Sequence, residues 1–232
     1  MSYNASNLRL SSEPETAMPA LSPLDRVLDS CIVAVIRAES GEKLVDVAEA
    51  LLAGGVDVME VTFTVPKAVQ VLEKVADKLG KRVLLGAGTV LDPETCRAAF
   101  LAGAEFIVSP TVNVQVIEMC KRYSKLVMPG ALTPTEVVTA WQAGADIVKI
   151  FPSEITGPKY LKALHGPLPQ IRLMPTGGVN LETATDFLKA GACALGVGSS
   201  LVDPKLVAAG DLKKIESLAK QYQQVVKEFR AN

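Results

Sequence analysis

The sequence predicts a single (β/α)8 barrel of the α/β class, and three observations carry that expectation. From Cys31 onward, short apolar runs rich in β-branched residues alternate with amphipathic stretches of helical period, the pattern of βα units around a parallel sheet. An internal echo, in AGGVDVMEV, AGAEFIVSP, AGADIVKIF and AGACALGVG, joins a helix end to a strand start, each time with a Gly suited to a left-handed C-cap. The chain has 232 residues, a length at which barrels form one domain. An open doubly wound sheet is the lesser alternative, because the punctuation stays regular from end to end.

In chain order the expected strands begin with CIVAVIR (31–37), which the helical pattern GEKLVDVAEALLAGG follows. DVMEVTF (57–63), RVLLGAG (82–88), EFIVSP (105–110) and KLVMPG (125–130) come next, each a brief apolar run bounded by Gly, Pro or polar residues. DIVKIFP (146–152), IRLMPTG (171–177) and CALGVGS (193–199) complete eight strands, with NLETATDFLKAGA as the helix between the last two. DLKKIESLAKQYQQVVKEFR closes the chain as an amphipathic helix. Residues 1–22 read as a flexible polar tail and 23–232 as the barrel domain.

Composition excludes several classes. Apolar residues make up 49% of the chain, and 24 basic residues balance 25 acidic ones, so nothing argues for nucleic acid or an anionic membrane surface. The opening stretch has no apolar core of a secretory signal, and its Glu13 and Glu15 argue against an organellar leader. Cys31, Cys96, Cys120 and Cys193 are scattered without a CxxC pair, which fits a reducing, cytoplasmic setting. The sole histidine, His165, has no ligand cluster at metal spacing, so a metal-dependent aldolase or hydrolase is not expected and His165 reads as structural or exposed. GAGTV is not GxGxxG, which argues against a dinucleotide, and Trp141 reads as packing. No cofactor is expected.

Chemistry concentrates at the strand ends, where a barrel builds its site. Lys149 lies between Ile147, Val148, Ile150 and Phe151. An inward amine there would be desolvated and its pKa depressed, giving the neutral form that attacks a ketone; the alternative is a lysine that reaches solvent or pairs with a glutamate. Glu60, in VMEVTF, is the second inward candidate, either a general acid and base or an ion-pair partner for Lys149 or Arg37. PTGG (175–178) and GVGSS (196–200) follow the seventh and eighth strands, where barrels commonly hold a phosphate on backbone N–H groups.

In order and spacing, MEVTFTVP, GAGTV, FIVSP, MPGALTPTE, VKIFPSE, PTGGV and GVGSSLV resemble the 2-keto-3-deoxy-6-phosphogluconate aldolase family, from about Cys31 to Val202. The resemblance implies a cofactor-free Schiff-base aldolase, a homotrimer, that splits a phosphorylated keto-acid to pyruvate and glyceraldehyde 3-phosphate, a step of the Entner–Doudoroff route. It implies Lys149 as the Schiff-base lysine and Glu60 as the general acid and base. By the same resemblance Thr89 helps hold the pyruvate carboxylate, Pro110 and Phe151 wall the pocket, and Thr176 stands beside the substrate chain. Gly177, Gly178, Gly198 and Ser199 form the phosphate cradle.

One departure stands out. Many members carry an arginine four residues after the glutamate, where this chain has Thr64, and Arg37 at the end of the first strand is the expected replacement ligand for the carboxylate, ahead of Lys67. Other substrates for the same lysine are the phosphogalactonate analogue, 4-hydroxy-2-oxoglutarate and oxaloacetate. Rival classes are a sugar-phosphate isomerase or epimerase that uses Glu60 as base, and a metabolite-binding barrel without turnover.

Overall fold

A computed structural model describes residues 21–231, so most of the expected tail lies outside the described residues. Parallel strands and helices alternate as β1 (Ile32–Ile36), α2 (Leu44–Ala53), β2 (Val58–Thr62), α3 (Ala68–Leu79), β3 (Leu84–Gly88), α4 (Pro93–Leu101), β4 (Phe106–Val108) and α5 (Val114–Arg122). The second half runs β5 (Leu126–Met128), β6 (Gly130–Ala131), α6 (Pro134–Gln142), β7 (Val148–Ile150), α7 (Gly157–His165), β8 (Leu173–Pro175), α8 (Ala184–Lys189) and β9 (Leu195–Val197). Two further helices, α9 (Pro204–Ala209) and α10 (Leu212–Ala231), end the described chain. Ahead of β1 stands α1 (Pro23–Ser30).

Strands pair in the order β5-β4-β3-β2-β1-β9 and β6-β7-β8, and bridges from Leu173 to Ala192 and from Thr176 to Gly196 join β8 to β9. The ring closes as a (β/α)8 barrel. The fifth expected strand is split in two at Pro129, which has no N–H to give a ladder. Its first half pairs with β4 and its second with β7, so the break is the point where the strand passes from one neighbour to the next.

The four echo glycines take the left-handed conformation, with φ of 88° at Gly55, 97° at Gly103, 102° at Gly144 and 100° at Gly191. Each lets a helix end turn straight into the next strand without the steric cost a Cβ would incur. Several helix starts are capped by side chains, among them Ser22 for α1, Asp92 for α4, Asn113 for α5 and a Thr133–Glu136 capping box for α6.

Two apolar layers result. The outer one lies between strands and helices, and the inner one fills the barrel with Val33, Val58, Leu84, Phe106, Met128 and Met174 among others. Burying one such side chain contributes about 1.5–3 kcal/mol. The sequence did not signal α1, yet its Val27, Leu24 and Leu28 pack into that inner layer and plug the N-terminal end of the barrel. With that end closed by carbon, polar interior residues are confined to the C-terminal end. Trp141 packs partly buried against the outer layer.

Candidate active site

Strand side chains alternate between the two layers, and this alternation aims the site residues. On β7, Val148 and Ile150 join the outer layer, Ile147 joins the inner one, and Lys149 therefore points inward above Ile147. It is 3% exposed, and its Nζ lies 4.9 Å from the centroid of the Phe151 ring. Glu60 on β2 is 1% exposed, with Met59 and Val61 in the outer layer on either side.

Neither oxygen of Glu60 has a hydrogen-bond partner, and among the described residues no ion pair joins it to Lys149 or Arg37. The two buried groups feel one another through space without being tied together. Burial pushes the Glu60 carboxyl above the usual carboxylate range, against the pull of Lys149 and Arg37. Burial also pushes the Lys149 ammonium below the usual lysine range, opposed by Glu60 and assisted by Arg37. Both shifts move the groups toward their neutral forms, which raises the share of amine with a free lone pair.

Glycines make the room. A Cβ on Gly88 would fall 2.6 Å from Glu60 Oε1, one on Gly86 would fall 2.2 Å from the Phe106 ring, and one on Gly196 would fall 2.1 Å from Thr176 Oγ1. GAG on β3 and the first Gly of GVG on β9 are thus the small partners of large or polar side chains on the neighbouring strands. The sequence marked both motifs as strand ends but gave no sign of this packing role, which depends on register.

A cavity of about 350 Å³ is lined by Arg37, Phe151, Thr176, Gly178, Gly198 and Ser199 among others; Lys149 and Glu60 are not in its lining, and Phe151, whose ring lies 4.9 Å from Lys149 Nζ, stands between the amine and the cavity. Thr176 is 4% exposed and its hydroxyl has no partner, whereas Arg37 and Ser199 are exposed. Gly177 and Gly178 have φ of 87° and 71°, which open the backbone toward the cavity. Among the described residues the N–H groups of Gly178 and Ser199 are bonded to no protein acceptor, so an oxyanion can take them. Glu154, which the sequence showed only as part of FPSE, also lines this cavity and packs against Gly178.

The remaining candidates spread around the rim. Thr89 is half-buried in a left-handed conformation with φ 59°, next to Gly88. Pro110 is half-buried, and its carbonyl packs against Gly130, where a Cβ would come within 2.4 Å. Thr64 is exposed and lies outside the cavity lining; its Oγ1 is 2.7 Å from Thr62 Oγ1, which in turn donates to the Ile36 carbonyl at 3.2 Å. That link secures the end of β1 one residue before Arg37. Lys67 is exposed at the start of α3, also away from the cavity. His165 is half-buried against Gly191, a packing role. Among the described residues no cluster of His, Cys, Asp or Glu could hold a metal, and no helix is long and apolar enough to cross a membrane.

A closed (β/α)8 barrel with a buried amine, a buried unpaired carboxyl and an anion-ready cavity at its C-terminal end defines a barrel lyase of the carbon–carbon bond-cleaving type. The chain belongs to the KDPG and KHG aldolase family, whose sequence model matches residues 25–218, and it is an aldolase. That span is wider than the resemblance read from motifs, since it takes in most of α1 and the first part of α10. The chain is 35% identical to the 2-dehydro-3-deoxy-phosphogluconate aldolase of Treponema pallidum, over 84% of this chain and 93% of that one. It is also 35% identical to the 2-dehydro-3-deoxy-6-phosphogalactonate aldolase of Escherichia coli, over 86% and 94%. Among solved structures, the Legionella pneumophila KDPG aldolase with pyruvate captured as a covalent carbinolamine superposes with a TM-score of 0.80 at 29% identity, covering 86% of this chain and 97% of that one.

Proposed function

We propose that this aldolase cleaves 2-keto-3-deoxy-6-phosphogluconate to pyruvate and glyceraldehyde 3-phosphate through a Schiff base on Lys149. The single observation that supports this most is the pairing of an inward, unpaired, desolvated Lys149 amine with the unpartnered Glu60 carboxyl. The neutral amine attacks the C2 ketone, and Glu60 gives and takes the protons that turn the carbinolamine into an iminium. The iminium draws electrons from the C3–C4 bond as the Glu60 carboxylate takes the proton of the C4 hydroxyl, which releases the aldehyde and leaves an enamine. Glu60 returns a proton toward C3, and water then frees pyruvate.

In this scheme Arg37 and Thr89 hold the carboxylate, Thr64 stands at the position other members fill with arginine, and Pro110 and Phe151 wall the pocket. Thr176 meets the substrate chain, while Gly177, Gly178, Gly198 and Ser199 receive the phosphate. Incubation with pyruvate and borohydride should leave a reduced adduct on the peptide that contains Lys149. An unmodified Lys149 under those conditions would sink the scheme, and it is also the result that an isomerase or a binding barrel would give.

A second reading, the phosphogalactonate analogue as preferred substrate, is favoured by the 35% identity to the E. coli phosphogalactonate aldolase. Thr176 favours the gluconate substrate. Comparing cleavage rates on these two acids, 4-hydroxy-2-oxoglutarate and oxaloacetate decides among them. The exposed Leu91 and Leu101 support the homotrimer, which light scattering would detect, and the free cysteines support a reducing, cytoplasmic location.

A further inference from the structure

Among the described residues, Glu154 is the sole carboxylate in the lining of the cavity that the two glycine loops share. Its side chain lies against the first loop. A Cβ on Gly178 would fall 2.7 Å from Glu154 Cα and 2.8 Å from its Cβ, and one on Gly177 would fall 3.7 Å from Oε2 and 3.8 Å from Cδ. The carboxylate therefore stands over Gly177. Among the described residues it makes no hydrogen bond and no ion pair, although Arg37 lines the same cavity.

The backbone that carries it is fixed. Buried Ser153 donates its N–H to the Thr176 carbonyl at 2.9 Å and its Oγ to the Ile150 carbonyl at 2.7 Å, and its own carbonyl accepts the Gly157 N–H at 2.8 Å. The ends of β7 and β8 and the loop after β7 are thus tied together one residue before the carboxylate.

A carboxylate beside an anion site repels the anion, so the two need separate places in the cavity. A Cβ on Gly198 would meet nothing within 4 Å, which leaves open space over the second loop, next to the free N–H of Ser199. The phosphate fits on that side. On the Gly177 side the cavity offers an ionised acceptor that lacks a donor, and the substrate group that suits it is a hydroxyl. In the acid of the proposed reaction such a hydroxyl sits on C5, one carbon from the phosphate-bearing C6.

We infer that Glu154 is a specificity residue for the aldehyde half of the substrate: its carboxylate accepts a hydrogen bond from the hydroxyl on the carbon next to the phosphate-bearing one. The inference rests on the reading of the glycine loops as the phosphate site. The gluconate and galactonate acids differ at C4 and share this hydroxyl, so the role is the same for either.

The test runs the aldolase in the condensation direction, joining pyruvate to an aldehyde, and follows the loss of pyruvate. Two acceptors of equal length are compared: glyceraldehyde 3-phosphate, and 3-phosphonooxypropanal, which keeps the phosphate and lacks the hydroxyl. The readout is the ratio of their kcat/KM values, in which any relief of repulsion on the shared phosphate cancels. Glu154→Ala should lower that ratio about tenfold to a hundredfold, the worth of a hydrogen bond to a charged group. Glu154→Gln, which keeps the shape and a neutral acceptor, should lower it about threefold to tenfold. Trapping of pyruvate on Lys149 with borohydride, which involves no aldehyde, checks that each variant keeps its site. A ratio at or above the wild-type value overturns the role, whether or not both rates change in parallel. The cradle reading fails separately: if the wild type takes unphosphorylated glyceraldehyde with the same KM as glyceraldehyde 3-phosphate, the loops do not hold the phosphate, whatever the variants do.

Discussion

The Glu60 carboxylate occupies space that a side chain on Gly88 would fill: a Cβ there would lie 2.6 Å from Oε1 and 2.7 Å from Cδ. The two residues are on adjacent strands, where Thr62 is opposite Gly88 and Glu60 opposite Gly86, so the carboxylate reaches along β3 toward the rim. Gly88→Ala must push it away from the position that serves the substrate. Displacement of a catalytic group by about 1 Å costs roughly a hundredfold in rate, and the loss should fall on kcat. Steady-state cleavage with circular dichroism as the folding control checks this, and a kcat within a few-fold of wild type would refute the positioning.

The electrostatic coupling of the same carboxyl to Lys149 gives a pH signature. Burial lowers the lysine's pKa and Arg37 lowers it further, while Glu60 works in the opposite direction. Glu60→Gln removes the one influence that holds the proton on the amine, so the fraction of neutral amine at a given pH rises. The midpoint of pyruvate trapping, followed with a hydride donor stable at each pH, should therefore move to lower pH in Glu60→Gln. Movement to higher pH would mean that the carboxyl does not face the amine as an anion.

Both groups should also weigh on stability. Lys149 has a folded pKa below its ordinary 10.5, so the unfolded chain binds more protons between those values and stability rises with pH across that window. Glu60 has a folded pKa above its ordinary 4.5, so the folded chain binds more protons in its window and stability falls as pH rises from 4.5 through the folded value. At neutral pH both penalties operate. Lys149→Met combined with Glu60→Gln should stabilise the inactive barrel by about 1–4 kcal/mol, with the gain narrowing toward both 4.5 and 10.5. Urea unfolding across that range measures it; a destabilised double variant would show that the pair holds the barrel together.

The sequence revealed those parts of the site that depend on one strand at a time. Lys149 among Ile147, Val148, Ile150 and Phe151 announces its own burial, and the AG echo announces the helix ends that became Gly55, Gly103, Gly144 and Gly191. What it could not show depends on register between strands or on segments far apart in the chain. Gly88 beneath Glu60 and Gly196 beneath Thr176 are of this kind. So is the Pro129 break, because a proline in an apolar run gives no sign that its two sides pair with different neighbours. The plug α1 was hidden by its neighbourhood: its eight residues follow a polar stretch, and only the inner barrel layer explains Val27.

In the proposed scheme Arg37 takes the place of an arginine that would stand at the Thr64 position. Thr64 is bonded to Thr62, and Thr62 to the Ile36 carbonyl, so the second strand's threonines secure the residue that precedes Arg37 rather than reach the cavity themselves. Arg37 lines that cavity and acts electrostatically on both Glu60 and Lys149. A lost guanidinium–carboxylate contact is worth about 1.5–3 kcal/mol, so Arg37→Ala should raise KM roughly tenfold to a hundredfold. If the ligand is the keto-acid carboxylate, the rise should be the same for 2-keto-3-deoxy-6-phosphogluconate and 4-hydroxy-2-oxoglutarate, because both carry that group. A rise confined to the phosphorylated acid would move Arg37 to the phosphate instead. Adding Thr64→Arg to Arg37→Ala should recover a part of the lost affinity, since it places a cation at that position; no recovery would mean that the Thr62–Thr64 link, once cut, costs more than the new charge restores.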